Sequence, residues 1–191
     1  MMMYDRESDN VAQYTGCTAV VVLLTPTHII CANAGDSRSI LSRGDGVVAL
    51  SEDHKPDNLG EKARIEEAGG FVEENRVNGS LNLSRSLGDF EYKSNKQKNF
   101  KEQMVTCDPE VMSVRRKKND EFMVLACDGI WDCLNNEDCA AMLKEHMGTD
   151  ANKRTSQNVE ELFEKIIAKD IIASSGMGTD NMTCILVKFK M

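Results

Sequence analysis

Short runs of β-branched apolar residues, each ended by turn residues, are the feature that most restricts how this chain folds. Such runs predict buried strands, and the Gly, Pro, Asp and Thr residues between them predict turns. Thr-Pro-Thr at 25–27 separates the first two runs, which predicts an antiparallel hairpin. The early runs are CTAVVVLL (17–24), HIICANAG (28–35), SRSILSR (37–43) and GVVALS (46–51). They predict a meander of short strands.

Later segments show the spacing of helices. The three predicted helices are EKARIEEAGG (61–70), NNEDCAAMLKEHM (135–147) with Asn136 as its N-cap, and SQNVEELFEKIIAKDIIASSG (156–176) with Ser156 as its N-cap. The buried stripe of the longest helix is predicted to contain Val159, Leu162, Phe163, Ile166 and Ile167. Further strands are predicted at VMSV (111–114), EFMVLAC (121–127) and NMTCILVKFK (181–190). The sequence therefore predicts an α+β fold with largely antiparallel pairing.

The composition narrows the classes of partner. The 191 residues suffice for one domain, and a formal net charge of −8 argues against nucleic acid as the main partner. The one dense basic run, RRKK at 115–118, is interpreted as a solvated turn between two strands. The longest apolar run, AVVVLL, is too short to span a bilayer, and the N-terminus lacks the apolar segment of a signal peptide. No membrane association is expected.

The cysteine pattern points to a reducing compartment. The seven cysteines are odd in number, and their spacing fits neither a zinc site nor a redox CxxC pair. Cys17, Cys127 and Cys184 lie in or beside apolar runs, where a free thiol behaves as a small hydrophobic side chain. The expected location is intracellular, in the cytoplasm, the nucleus or both.

Aspartates end several of the predicted strands. They are Asp36 in NAGDSR, Asp128 and Asp132 in LACDGIWD, and Asp180 in GTDNMT. Each one alone is explained by turn or capping chemistry. As a set, carboxylates at one end of a sheet repel each other unless a cation lies between them, and Mg²⁺ or Mn²⁺ prefers such oxygen ligands. With three histidines and no cysteine cluster, zinc is disfavoured.

Six motifs in order resemble the metal-dependent PP2C (PPM) family of protein serine/threonine phosphatases. They are GCTAVVVL, ANAGDSR, DHKPDN followed by EKARIEEAGG, RVNGSLNLSRSLGD, LACDGIWD and GTDNMTCILVKF, and together they run from about Thr15 to Phe189. The resemblance implies an α+β fold, a PP2C-like β-sandwich of two antiparallel sheets flanked by helices. It also implies phosphoprotein substrates and a protein that is monomeric when its domain is complete.

The resemblance assigns roles to particular residues. Asp128 and Asp180 match ligands of a dinuclear Mg²⁺ or Mn²⁺ centre, and Gly129 beside them is a further candidate ligand. Asp36 and Asp132 match aspartates linked to an additional, weaker metal position. The segment RVNGSLNLSRSLGD is expected to border the substrate cleft, with Asn78 and Arg85 as its candidate residues. Trp131 is expected to pack in the core under the Asp-Gly turn.

Motifs that the family carries ahead of these are not found in the sequence. They are an acidic pair after Met, a phosphate-binding arginine and DGHGG, which includes the proposed general acid. Residues 1–191 are therefore interpreted as a single PP2C-type domain whose N-terminal part is missing, with residues 1–14 disordered or outside the family pattern. No catalytic residue is assigned, because the family's general acid and arginine belong to the missing segment.

Two functions of different classes remain open. The first is dephosphorylation of phosphoserine and phosphothreonine by a water activated at the metal centre. The second is a catalytically inactive fragment or pseudophosphatase that acts as a binding module. A cysteine-dependent phosphatase is excluded, because no cysteine is followed by an arginine at CxxxxxR spacing.

Overall fold

A computed structural model describes residues 11–44, 46–149 and 153–190. The described residues form two compact units. Unit 1 contains residues 11–19, 32–36 and 53–110, and unit 2 contains residues 20–31, 37–52 and 111–190. Each unit is described separately.

The secondary structure agrees with an α+β class. In chain order the elements are α1 (Val11–Tyr14), β1 (Gly16–Cys17), β2 (Ala19–Leu24), β3 (His28–Ala34), β4 (Arg38–Arg43), β5 (Gly46–Ala49), α2 (Leu59–Glu67), β6 (Val72–Glu73), β7 (Arg76–Val77), β8 (Leu87–Gly88), a 3₁₀ turn (Phe90–Lys93), β9 (Glu110–Arg115), β10 (Asp120–Ala126), α3 (Asp128–Trp131), α4 (Asn136–Thr149), α5 (Thr155–Ile166) and β11 (Cys184–Lys188).

Unit 2 is built on two sheets. The larger has four strands in the order β11-β10-β4-β5, and all three of its pairings are antiparallel. Val124 lies opposite Ile40 on one side and Leu186 on the other. The smaller sheet has the order β2-β3-β9. The predicted pairing of the first two long strands as neighbours is thus observed.

The side chains of β10 alternate between two cores. Phe122, Val124 and Ala126 join a cluster with buried residues of α4 and α5, such as Leu143 and Leu162. Met123 and Leu125 join a second cluster with Ile29 and Cys31 of β3 and with apolar residues of β2 and β9. Because side chains in a strand alternate between faces, the larger sheet lies between the helices and the smaller sheet. This arrangement confirms the predicted sandwich of antiparallel sheets flanked by helices.

The observed helices differ from the sequence predictions at several points. One turn of helix, α3, follows directly after β10, where a turn alone was predicted. The N-cap of α4 is Asn135 rather than Asn136, because Asn135 Oδ1 accepts the Asp138 N–H at 2.8 Å. Helix α5 begins after Arg154, so Ser156 is not its N-cap.

The long helix also ends early. Helix α5 stops at Ile166, and Ile167, predicted to lie in its buried stripe, is extended and 55% exposed. Asp170 Oδ1 accepts the N–H groups of Ile172 and Ala173 at 2.9 and 3.1 Å. Such side-chain bonds to nearby backbone stabilise a turn in competition with the helix.

Unit 1 is smaller and richer in turns. Its core is formed by Ile65, Val77 and Val105, with partly buried apolar neighbours. Strands β6 and β7 form a hairpin whose two turn residues, Glu74 and Asn75, both have positive φ. Helix α1 covers residues 11–14, although the sequence predicted a disordered or unrelated segment over 1–14. Residues 1–10 lie outside the described part of the chain.

Within the described residues, none of the helices combines the length and apolar character that crossing a membrane requires.

A buried ion pair fixes the start of β10 and generates a stability prediction. Arg43 Nε lies 2.5 Å from Asp120 Oδ1, and both side chains are almost fully buried. Asp120→Asn leaves the guanidinium buried without its counter-charge, so we expect it to lower the free energy of unfolding by about 3 kcal/mol. Urea unfolding of both proteins measures this difference.

The matched control breaks an exposed ion pair of the same unit. Lys165 Nζ and Glu145 Oε2 are 4.0 Å apart at the surface, so Glu145→Gln is expected to cost less than about 0.5 kcal/mol. Equal losses in the two variants would contradict the importance of the buried pair.

Candidate metal-binding site

Asp128 stands where β10 ends and α3 begins. Ala126, the last residue of β10, lies opposite Arg38 and Cys184 in the sheet. Trp131 is buried and its Nε1–H donates to the Ala126 carbonyl at 2.8 Å, which fastens α3 to the strand end. The Arg38 guanidinium lies 5.0 Å from the centre of the Trp131 ring. Trp131 is therefore a core residue, as predicted, and it supports the backbone that carries Asp128.

Asp180 is carried by a segment that touches the same turn. The Cys127 N–H donates to the Thr183 carbonyl at 3.2 Å, and Cys127 Sγ lies 3.3 Å from the Asn181 carbonyl oxygen. A Cβ atom added to Gly129 would overlap that same Asn181 oxygen. The glycine is thus needed for the close approach of the two segments. The structure brings the backbone of Asp128 and of Asp180 together within unit 2.

The donor chemistry of this pair fits a hard divalent cation. Mg²⁺ is commonly bound through one or two carboxylates, with waters completing its shell. Among the described residues, however, no group of three or more His, Cys, Asp and Glu side chains is arranged to hold a metal ion. Asp128 and Asp180 therefore fit part of a metal shell, and the Gly129 carbonyl remains a predicted ligand.

The two other predicted metal-linked aspartates have different surroundings. Asp132 is exposed, and its N–H continues α3 by donating to the Asp128 carbonyl at 2.8 Å. Asp36 belongs to unit 1, where it is buried and its Oδ2 lies 2.5 Å from Lys55 Nζ. The lysine ammonium thus already balances the Asp36 charge. The roles of both residues toward an additional metal remain predictions.

The loop that carries Asp36 is held by a buried histidine. The Gly35 N–H donates to His54 Nδ1 at 3.2 Å, and His54 Nε2 lies 3.2 Å from Glu110 Oε2. Burial lowers the pKa of His54, and the nearby Arg85 charge lowers it further. The neutral ring with its proton on Nε2 satisfies both neighbours, so His54 acts as a structural bridge.

Arg85, a predicted cleft residue, is engaged in a buried ion network. Its Nη2 lies 2.6 Å from Glu61 Oε1, and its Nη1 donates to the Asp108 carbonyl at 3.1 Å. Arg64 Nη2 lies 2.8 Å from Glu61 Oε2, and the Ser84 hydroxyl donates to the same oxygen at 2.5 Å. Burial alone would raise the pKa of Glu61, but the hydrogen bonds from Arg85, Arg64 and Ser84 outweigh it and lower the pKa to about 2.

Asn78, the other predicted cleft residue, shapes a turn. It has a positive φ of 51°, and its Oδ1 accepts the Phe71 N–H at 3.1 Å. Its own N–H donates to the Phe71 carbonyl at 2.8 Å. These bonds join Asn78 to the chain just before β6.

The Glu61 network was missed by sequence reasoning. A helical Glu–Arg pair at the i, i+3 spacing was visible in EKAR. That spacing is equally common on solvated helix faces. Nothing in the sequence around Ser84 and Arg85 indicated that these residues contact Glu61.

The match to known sequences defines the class of protein. Residues 1–172 match the sequence profile described as "Protein phosphatase 2C". With the antiparallel sandwich and the carboxylate-bearing strand ends, this places the chain in the PP2C family of protein phosphatases, whose members are in general metal-dependent.

Individual relatives agree with this class. The chain is 43% identical over 183 residues to "Probable protein phosphatase 2C 21" of Arabidopsis thaliana, in a match that covers 96% of this chain and 50% of that protein. It is 43% identical over 180 residues to "Protein phosphatase 2C homolog 2" of Saccharomyces cerevisiae, covering 91% of this chain and 38% of that protein. The chain therefore spans about half or less of the length of these relatives.

Solved structures show the same fold. A phosphatase from a pathogenic strain of Toxoplasma gondii superposes with a TM-score of 0.74 at 31% identity, covering 85% of this chain and 48% of that one. A serine-threonine phosphatase 2C from Toxoplasma gondii gives a TM-score of 0.71 at 25% identity, covering 93% and 60%.

The Gly129 contact generates a prediction about the candidate site. Gly129→Ala pushes the Asn181 carbonyl away, so we expect a loss of about 1–3 kcal/mol in unfolding free energy and a displaced Asp180. Gly148, on an exposed part of α4 with nothing near its Cβ position, is the control. Gly148→Ala is expected to stabilise the helix by up to about 1 kcal/mol. Thermal unfolding measures the stability of both variants. A Gly129→Ala variant as stable as the parent would show that the close approach of the two segments does not require glycine.

The Glu61 network generates a prediction about acid stability. The folded-state pKa of Glu61 is lowered from 4.5 to about 2, so its contribution is fully present above about pH 4.5 and is lost as the pH falls toward 2. The shift corresponds to on the order of 3 kcal/mol. The stability difference between the parent and Glu61→Gln should therefore shrink over this range.

Urea unfolding at a series of pH values measures this difference. Glu66→Gln, an exposed change on the same helix, is the control and should give a difference that stays small throughout. A Glu61→Gln difference that does not vary between pH 4.5 and 2 would contradict the assignment of the network.

Proposed function

We propose that this chain forms the C-terminal part of the catalytic domain of a Mg²⁺- or Mn²⁺-dependent protein phosphatase acting on phosphoserine and phosphothreonine. The observation that carries the proposal is the contact between the backbone turns that bear Asp128 and Asp180, in a chain that belongs to the PP2C family. Phosphoproteins are the proposed substrates.

Asp128 and Asp180 are the proposed ligands of two metal ions, with the Gly129 carbonyl beside them. Asp36 and Asp132 are the proposed residues for a third, weaker ion. When bound, such ions lower the pKa of a water and neutralise charge on a phosphoryl group. The chain's own contribution is to hold its carboxylates on a strand end that is buried on both faces and fastened by Trp131.

Arg85 and Asn78 remain proposed cleft residues. Three of the Arg85 nitrogens already bond to Glu61 or to the Asp108 carbonyl. Arg85 would therefore affect substrate binding chiefly by fixing the backbone of the segment that contains it. Its guanidinium would not be free to bind the substrate.

The second candidate, an inactive binding module, is favoured by one observation. Within the part of the chain that the structure describes, no cluster of three or more potential metal-binding side chains exists. A dinuclear centre needs more protein ligands than two carboxylates can provide, so a chain that lacks them would retain the fold without turnover.

The cysteines support the proposal of an intracellular protein. All seven are free thiols. Burial raises the pKa of Cys31 to about 11 and the pKa of Cys139 and Cys184 to about 12, so these thiols are unreactive. We further propose that the complete domain is monomeric and binds neither nucleic acid nor membranes as its main partner.

Hydrolysis of p-nitrophenyl phosphate with and without Mn²⁺ tests the enzymatic proposal. Replacing a metal-neighbouring group typically costs 10–100-fold, so removal of a ligand in Asp128→Asn should cost at least about 100-fold. Asp57→Asn, an exposed aspartate in unit 1, is the control and should retain activity. Mn²⁺ binding, followed by the loss of its free electron-spin signal, should weaken in Asp128→Asn alone.

The outcomes separate the two functions. Mn²⁺-dependent turnover that survives in Asp128→Asn would show that Asp128 is not a ligand. A folded parent that neither binds Mn²⁺ nor turns over substrate would support the binding module instead.

A further inference from the structure

A basic cleft lies in unit 2, formed by the β2–β3 turn, the β9–β10 turn and the end of β11. It has a volume of about 570 Å³. Its lining combines four basic residues with two apolar ones, namely Arg116, Lys117, Lys118, Lys190, Pro26 and Phe189. These basic residues include most of the RRKK run, whose sequence alone indicated only a solvated turn.

The cleft is held in shape by bonds across its parts. The Arg116 N–H donates to the Thr27 carbonyl at 2.9 Å, and its Nη1 donates to the Thr25 carbonyl at 3.2 Å. The Arg116 guanidinium lies 5.3 Å from the centre of the Phe189 ring. The Phe189 N–H in turn donates to the Glu121 carbonyl at 3.0 Å. These contacts fix the β9–β10 turn against the β2–β3 turn and against the end of β11.

The basic residues of the cleft are not neutralised by the carboxylate that lines it. The carboxylate in its lining, Asp120, lies 2.5 Å from Arg43 Nε and accepts the Lys117 N–H at 2.9 Å. The ammonium groups of Lys117, Lys118 and Lys190 make no ion pair with any carboxylate of residues 11–44, 46–149 and 153–190. In a chain of net charge −8, this is a local concentration of uncompensated positive charge.

The lining indicates the kind of ligand. The cleft is far larger than one phosphate ion, and Pro26 and Phe189 offer apolar surface that a hydrated anion would not use. Each lysine ammonium is a separate point charge, so the three lysines of the cleft can each contact a different carboxylate of one peptide. The negative net charge of the chain opposes a polyanion such as nucleic acid, which would extend beyond the cleft.

We propose that this cleft is a docking site for a short acidic segment of a partner protein, in which carboxylates meet the three lysines and an apolar side chain packs beside Phe189. The site lies outside the candidate metal-binding residues, so the proposal does not depend on catalysis. Binding would hold a partner on the chain independently of any reaction at Asp128.

Fluorescence anisotropy with a labelled peptide of alternating glutamate and leucine tests the proposal on the full chain. Each exposed charge pair contributes about 0.2–1 kcal/mol, so Lys117→Ala/Lys118→Ala should weaken binding by about fivefold. The matched control, Lys96→Ala/Lys169→Ala, removes the same charge from exposed positions outside the cleft and should bind like the parent. Lys117→Arg/Lys118→Arg should restore most of the affinity, and added salt should weaken the parent more than the cleft variant.

Thermal unfolding shows whether the variants remain folded, which the exposure of Lys117 and Lys118 leads us to expect. Equal losses in the cleft and control variants would overturn the proposal, because they would report net charge alone. Full competition by inorganic phosphate would also overturn it in favour of a simple anion site. Tighter binding of an oligothymidylate or of phosphatidylserine vesicles at the same lysines would assign the cleft to a different partner class.

Discussion

The burial of β10 on both faces is the constraint on which unit 2 depends. Phe122 and Val124 pack toward the helices, Met123 packs toward the smaller sheet, and the strand pairs with β4 and β11 at its two edges. Each fully buried side chain of this size contributes roughly 1.5–3 kcal/mol. Packing on both faces and pairing at both edges fix the position of the last residue of β10. The chain therefore changes direction there at a fixed point of the fold. That end is where Asp128 stands.

This constraint explains which parts of the fold could be predicted from the sequence. The run EFMVLAC is apolar without alternation, as expected for a strand buried on both faces, and it was placed within a residue of its observed bounds. The end of α5 could not be predicted in the same way, because IIAKDIIASS keeps an apolar periodicity beyond the helix. The helix ends where Ile167 becomes extended and the Ala168 N–H donates to the Gly178 carbonyl instead of continuing the helix. Asp170 then accepts two N–H groups of the turn that follows.

The candidate site also has parts that the sequence could predict and parts that it could not. The pairing of the Asp128 and Asp180 segments follows from strand register, since Ala126 opposite Cys184 brings the flanking residues together. The order of motifs made this pair predictable through the family resemblance. The Glu61 network and the basic cleft instead depend on side chains from separate segments meeting in space, such as Arg85 with Glu61 and Arg116 with Phe189. No spacing along the chain encodes those meetings.

The acidic residues of the two units differ in what surrounds them. The carboxylate of Glu61 is surrounded by donors, so its ionised form is stabilised within the fold. Asp128 and Asp180 are carried on turns that contact each other through the Cys127 N–H and the Gly129 backbone. The buried β10, the Trp131 bond and the absence of a Cβ on Gly129 together keep these turns in contact. If a cation binds the folded chain at these turns, as proposed, its binding free energy adds to the stability of unit 2.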